Sequence, residues 1–470
     1  MTPPSRRTKI VATIGPASSD EGRLAELADA GMDGIRLNFS HGTHADHEAS
    51  ARRARAVQAE IGRPLALIAD LQGPKIRIGD LEAPAELEAG DSIVVAGADA
   101  CGSDDLPVAP DVLASVLEAG DEILIDDGHV RLRVHRIDGV RAHCEVVTGG
   151  IVEPHKGVNV PGVPLPVPSL TDKDLADLDF ALSLGVDYVA QSFVRTHLDV
   201  AALKSRIEAA GSPAWVIAKI ELKEAVAQLE AILDVADAVM IARGDLGVEI
   251  GTAEVPLLQK KIILEALDRG KPAITATQML ETMIERPEPT RAEASDVANA
   301  ILDGTSALML SAETAVGQYP VEAVATMTRI ARAVEPSLGY RHQLPSALEA
   351  PTVGRAMSNA ACDLAEALGA TAILVPTFTG RTASAVARLR PRRPVVALTH
   401  VQASLQHMAI EWGVTPLEIP EVTDVEELWR ISIDTARDAG IVEPGDRVVL
   451  TAGTAVNIPG STNVIKVDVA

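Results

Sequence analysis

Residues 214–244 open with the run Ala214-Trp215-Val216-Ile217-Ala218-Lys219-Ile220-Glu221 and close with Ala238-Val239-Met240-Ile241-Ala242-Arg243-Gly244. Between them lies a stretch with apolar residues at helical spacing, so the whole reads as buried strand, helix, buried strand. The same phrase extends both ways, with apolar runs at Lys9–Gly15, Gly34–Ser40, Leu65–Gly73 and Asp187–Val194 upstream and at Pro272–Met279 and Ser306–Glu313 downstream. The intervening helices often start after Ser, Thr or Asp and end at glycine, as at Gly31, Gly62, Gly185, Gly211, Gly270 and Gly304. Eight βα units predict an α/β chain built on a (β/α)8 TIM barrel, whose active residues belong at the C-terminal ends of its strands.

The phrase breaks once. Between Gly73 and Ser169 the texture becomes alternating, as in His129-Val130-Arg131-Leu132-Arg133-Val134, with Asp-Gly pairs at 127–128 and 138–139. This predicts an inserted small β-barrel domain over 73–168, returning through the proline-rich linker 161–168. Leaving from a strand's C-terminal end, it is placed to act as a lid. The barrel then comprises 1–72 and 169–338, and a polar connector runs to about Pro351. Residues 350–470 alternate helix and strand, with strands at Ala372–Pro376, Pro394–Thr399, Val414–Ile419 and Arg447–Ala452, which predicts a three-layer α/β domain.

Composition narrows the function. The 470 residues are 47% hydrophobic but only 2% aromatic, enough core for about three domains but no stacking platform for single strands. Lys plus Arg number 42 against 66 Asp plus Glu, and the net charge of -24 repels nucleic acid and anionic membranes. Cys101, Cys144 and Cys362 are far apart and odd in number, which fits a reducing cytoplasm better than a disulfide framework. No apolar run approaches a membrane span and no signal segment is seen.

Polar residues at strand ends carry the chemistry. Lys219 and Glu221 share a face, and Asp245, just past the next strand, can face Glu221. Two carboxylates suit Mg2+, although a rim ion pair with Lys219 fits the same residues equally well. Alternation sends Arg36, Asn38 and Ser40 one way, with Arg36 able to grip a phosphate or carboxylate. The third strand adds Asp70, Lys75 and Arg77, and the seventh offers Thr277 as a proton relay through water. His41, His44 and His47 read as surface residues at a helix start. No GxxxxGK[ST] loop is present. Thr377-Phe378-Thr379-Gly380-Arg381-Thr382 joins a strand to a helix, as a phosphate cradle or an ordinary capped helix start.

Taken together, the chain resembles the pyruvate kinase family from Thr8 to its last strand. The motifs are Arg36–Gly42 (RLNFSHG), Gly73–Arg77 (GPKIR), Lys156–Gly162 (KGVNVPG), Lys219–Glu221 (KIE), Ala242–Gly247 (ARGDLG), Ala276–Leu280 (ATQML), Pro289–Glu293 (PTRAE) and Ser311–Thr314 (SAET). The resemblance implies phosphoryl transfer from phosphoenolpyruvate to ADP, giving pyruvate and ATP. It puts Mg2+, with Mn2+ as a substitute, on Glu221 and Asp245, and sets Lys219 and Arg36 against the phosphoryl group in flight. The substrate carboxylate falls to the helix N-terminus after Arg243, at Gly244 and Asp245, and Thr277 to the methylene carbon. Asn38, Phe39, Ser40, His41, Arg77 and Lys156 match nucleotide positions, and Thr377, Thr379, Gly380, Arg381 and Thr382 match a site for a phosphorylated effector, a sugar phosphate or a nucleotide monophosphate. A cytoplasmic homotetramer is the implied assembly. Many relatives bind K+ near Asn38, Ser40, Asp70 and Leu71 and carry Thr and Glu where this chain has Leu71 and Lys75. An ammonium replacing a carboxylate adds two positive charges locally, so K+ should be neither needed nor welcome. A Mg2+-dependent lyase would use the same metal pair, but it has no use for Arg77 and Lys156 at a nucleotide.

Overall fold

Eight parallel strands close into a barrel in the computed structural model of the chain, which describes residues 6–338 apart from 127 and 164, and 352–470 apart from 454–456, 459 and 461. They are Lys9–Thr13, Gly34–Asn38, Ala66–Asp70, Tyr188–Gln191, Trp215–Ile220, Ala238–Ala242, Ala273–Ala276 and Ala307–Leu310. The first closes on the last with Lys9 opposite Ala307 and Ala12 opposite Leu310. Inside, Ile68, Tyr188, Ile217, Met240, Ile274 and Met309 alternate with alanines such as Ala66, Ala190, Ala238 and Ala276. Large and small side chains interdigitate in layers, which is how a barrel of this size fills its own interior with few aromatic rings. The other faces of the strands pack the surrounding helices in a second aliphatic cluster.

The expected strands overrun the observed ones at their C-terminal ends. Arg243 already opens the helix Arg243–Ile250, and Thr277 and Gln278 adopt φ of +69° and +52°. A β-branched residue in that left-handed region is strained and persists only where its surroundings hold it. Glu221, Asp245 and Thr277 thus stand just beyond the strand ends, while Arg36, Asn38, Asp70 and Lys219 lie within the strands.

From the third strand the chain departs through Gly73, whose φ is +72° and where a β-carbon would lie 2.7 Å from the Phe193 ring. Between Ile76 and Asn159 seven strands close into a second, smaller barrel, with a two-stranded sheet of Ala85–Leu87 and Gly150–Val152 beside it. The alternating run behaves as read, with Val130, Leu132 and Val134 buried and Arg131 and Arg133 exposed. Gly139, at φ +62°, turns Val130–Asp138 into Arg141–Thr148, while Asp127 of the other Asp-Gly pair lies outside the described residues. The returning segment is tied to the main barrel, Gly162 N–H donating to Glu249 Oε1 at 3.0 Å and Arg195 to the Val167 carbonyl at 2.7 Å.

The connector is outside the described residues from 339 on. Beyond it a sheet carries Val414–Glu418, Val395–Thr399, Ala372–Pro376 and Arg447–Gly453 in parallel, with helices packed on both faces. A fifth strand, Thr462–Val469, which the sequence reading omitted, adds antiparallel at the edge. This domain closes the floor of the barrel, where Ala409 and Ile410 join the interior cluster and Lys9 donates to the Val414 carbonyl at 2.9 Å. No helix among the described residues is long and apolar enough to cross a membrane.

His407 sits in that floor, stacked on Trp215 with ring centroids 4.1 Å apart, and its carbonyl accepts from the Tyr188 hydroxyl at 2.6 Å. Burial pushes its imidazole down to about 4, against the opposing charge of Asp237 and a hydrogen bond to Asp187. A group that stays neutral when folded but is protonated below about 6.5 when unfolded contributes stability that is present above pH 6.5 and is lost as pH falls toward 4. The size is on the order of 3 kcal/mol. Thermal melts of His407→Gln should show a lower melting temperature at pH 7 than the parent, but a smaller further drop between pH 6.5 and 4.

Candidate active site

A cavity of about 140 Å³ opens at the C-terminal end of the barrel. Arg36, Asn38, Ser40 and His41 form one wall, Lys75 and Arg77 descend from the start of the inserted domain, and Lys219, Glu221 and Asp245 complete it. Beneath lies Asp70, 1% exposed, with Oδ2 2.6 Å from Arg36 Nε and Oδ1 3.4 Å from Lys219 Nζ. Lys219 also pairs with Glu221 Oε1 at 2.7 Å, and Arg36 reaches Thr13 Oγ1 at 3.1 Å.

These contacts fix the charge states. Burial would raise Asp70, but Lys219 and Arg36 outweigh it and hold the carboxyl below its ordinary range. Burial would likewise discharge Lys219, yet Asp70 and Glu221 raise it well above a free lysine, so it remains an ammonium. Burial lowers His41, helped by Arg77, Arg36 and Lys75, so its ring is neutral at pH 7.

The residues present fit a divalent cation. Burial, reinforced by the facing charge of Asp245, raises the Glu221 carboxyl against the pull of Lys219. A cation between the two carboxylates would relieve that repulsion, and an oxygen set with only two protein carboxylates is what Mg2+ takes. No cluster of three or more His, Cys, Asp or Glu suited to a metal occurs among the described residues. Lys75 Nζ stands 3.8 Å from Asp245 Oδ1, so a fixed positive charge already occupies this edge.

Thr277 is held beside the cavity by the residues that follow the sixth strand. Gly244 N–H donates to Thr277 Oγ1 at 2.8 Å, and that hydroxyl donates to the Ala276 carbonyl at 2.6 Å. Arg243 donates to the carbonyls of Ala276 and Thr277 at 3.2 and 2.8 Å, while Asp296 grips its guanidinium at 2.8 and 2.7 Å. This fork over the turn is what keeps a β-branched residue left-handed.

Other expected residues lie elsewhere. The ring of Phe39 is buried, stacked on His47 at 4.3 Å, and faces away from the cavity wall. His47 is therefore a core residue, correcting its reading as a surface one, while His44 pairs with Asp177 at 2.7 Å. The Leu71 side chain is buried, leaving its carbonyl as the polar group. Lys156 Nζ is 3.2 Å from both Asp126 and Glu153 within the inserted domain and does not line the cavity. Ser192 and Phe193, which do line it, were not read from the sequence. Their only signal was their place at the end of the fourth strand.

A second cavity, about 440 Å³, opens in the C-terminal domain and is lined by Thr377, Thr379, Arg381 and Thr382. Gly380, at φ +81°, caps the helix Arg381–Ala387 there and donates to Thr377 Oγ1 at 3.0 Å.

Comparison with known proteins agrees with this geometry. The model of the pyruvate kinase barrel domain matches residues 5–324, and that of the pyruvate kinase alpha/beta domain matches 355–468. Pyruvate kinase 2 of Synechocystis is 46% identical over all of this chain and 80% of its own length. The pyruvate kinase of Geobacillus stearothermophilus is 44% identical over 99% of this chain and 80% of its own. The chain belongs to the pyruvate kinase family. A crystal structure of a pyruvate kinase from Cryptosporidium parvum superposes with a TM-score of 0.93 at 33% identity, over 99% of this chain and 96% of that one. The enzyme is a phosphotransferase of glycolysis that moves the phosphoryl group of phosphoenolpyruvate to ADP, giving pyruvate and ATP.

Proposed function

We propose that the cavity above Asp70 is where this transfer takes place, with the paired cations Arg36 and Lys219 as its electrostatic centre. The observation that carries the reading is that one buried carboxylate anchors both of them on the wall of one cavity with Glu221 and Asp245. As the P–O bond of phosphoenolpyruvate breaks and a bond to the terminal oxygen of ADP forms, negative charge spreads over the oxygens in flight. Arg36 and Lys219 offset it, preorganised by the buried Asp70 between them. Glu221 and Asp245 would hold the Mg2+, or Mn2+ in its place, whose chemistry is charge stabilisation at substrate oxygens. Gly244 and Asp245, in the first turn of Arg243–Ile250, would receive the substrate carboxylate. Thr277 would then guide a proton through water to the methylene carbon of the enolate.

Asn38, Ser40, His41 and Arg77 line the wall toward the inserted domain and are assigned to the nucleotide, with the backbone of Phe39 between them. Lys156 would join them on lid closure, exchanging Asp126 and Glu153 for phosphate oxygens. At the position of the family's K+ site, around Asn38, Ser40, Asp70 and Leu71, the Lys75 ammonium takes over the ion's role. Pyruvate formation in a buffer free of K+ and Na+ tests both assignments. The expected results are wild-type turnover changing less than about 2-fold on adding K+, and Lys219→Met losing about 10²–10³-fold. Manyfold activation by K+ would overturn the first, and unchanged turnover of Lys219→Met the second.

The cavity lined by Thr377, Thr379, Arg381 and Thr382, with Gly380 at its turn, is assigned to a phosphorylated effector, a sugar phosphate or a nucleotide monophosphate. Its support is a positive side chain and three hydroxyls in a space of sufficient size. The homotetramer of the resemblance is taken as the working assembly. Addition of the effector should shift phosphoenolpyruvate saturation to lower concentration, and Arg381→Ala should abolish the shift; saturation indifferent to both classes of phosphate would contradict the assignment.

A further inference from the structure

The Lys219 ammonium has three acceptors in reach, and they differ in kind. Glu221 at 2.7 Å and Asp70 at 3.4 Å are carboxylates. The third, at 2.6 Å, is the hydroxyl of Ser192, buried at 3% exposure. Both carboxylates have other commitments, Asp70 to Arg36 at 2.6 Å and Glu221 to the Phe193 N–H at 2.9 Å and to the proposed cation. Among the described residues the Ser192 hydroxyl accepts from Lys219 alone, and it donates its own proton to the Leu71 carbonyl at 2.8 Å, which turns a lone pair toward Lys219.

The surrounding backbone enforces that direction. Ser192 follows the fourth strand directly, and Phe193 after it turns at φ +55°. An aromatic residue there is strained, and the strain points its N–H at Glu221 while its ring packs over Gly73. Two consecutive residues thus grip the two ends of the Lys219–Glu221 pair, one through a hydroxyl and one through an amide.

We propose that Ser192 is a positioning residue for phosphoryl transfer: its hydroxyl holds the Lys219 ammonium in place without neutralising it. A carboxylate in the same position would also fix the nitrogen, but it would cancel the charge that the transferred group needs. When a divalent cation draws Glu221 away, Ser192 at 2.6 Å is the shorter of the two contacts that stay, beside Asp70 at 3.4 Å. The inference rests on the reading of Lys219 given above, and it extends that reading to a residue outside the motifs.

The test compares Ser192→Ala and Ser192→Asp with the parent enzyme, in steady-state assays of pyruvate formation and in Mn2+ binding followed by electron paramagnetic resonance. Ser192→Ala should lower kcat about 10–100-fold, the effect of removing one hydrogen bond to a charged group, with KM for both substrates and Mn2+ affinity within about 3-fold. Ser192→Asp, which restores an acceptor but adds a charge, should be no better than Ser192→Ala. Unchanged kcat in Ser192→Ala would overturn the proposal. So would a fall in kcat matched by an equal loss of Mn2+ affinity, which marks general damage to the site, or higher activity in Ser192→Asp than in Ser192→Ala. Full activity in Lys219→Met would overturn it by a different route, through the role of Lys219 itself.

Discussion

Asp70 lies at the end of the third barrel strand with one oxygen on Arg36 and the other toward Lys219, and almost none of its surface reaches water. Without it two cations would face each other in a site of low dielectric, and breaking a buried pair of this kind costs about 3–5 kcal/mol. With it, Arg36 from the second strand and Lys219 from the fifth are held on one wall, although the strands that carry them are not neighbours. Closure of the barrel makes the meeting possible, since it brings the C-terminal ends of strands distant in sequence onto one rim. The anion chemistry proposed for the enzyme depends on this three-membered group.

That arrangement resolves an apparent conflict in composition. A chain of net charge -24 would repel phosphoenolpyruvate and ADP from most of its surface. The structure gathers Arg36, Lys75, Arg77 and Lys219 around the cavity above Asp70 as a local exception. Such an island in an acidic molecule raises the local attraction for polyanions while the remaining surface rejects nonspecific ones. The scarcity of aromatic residues fits the same picture: the barrel interior is filled by small and branched aliphatics, and the proposed phosphate site relies on charge without a stacking surface.

Most of the barrel was legible in the sequence because a buried parallel strand leaves a continuous apolar run, and Val216–Ile220 or Ala238–Ala242 could be little else. The inserted domain was legible for the opposite reason, since Val130, Leu132 and Val134 alternate with arginines. Strand ends were not: nothing in the letters around Thr277 shows that Arg243 holds a left-handed turn there, because that depends on a side chain arriving from the helix that follows the neighbouring strand. The same limit hid Ser192 and Phe193, whose importance arises from what they touch. His47 was misread because its partner, Phe39, is distant in kind from the usual helix-start environment. Thr462–Val469 carries its own signal in Lys466-Val467-Asp468-Val469, which alternates polar and apolar as an edge strand does.

Glu221 and Asp245, just past the ends of adjacent strands, are proposed to form one divalent-cation site facing the cations Arg36 and Lys219. Titration of the full-length enzyme with Mn2+, read by electron paramagnetic resonance, tests it most directly. One tight site per chain should be seen in the parent and lost in both Glu221→Gln and Asp245→Asn. Binding of undiminished affinity and stoichiometry in the two variants would contradict it.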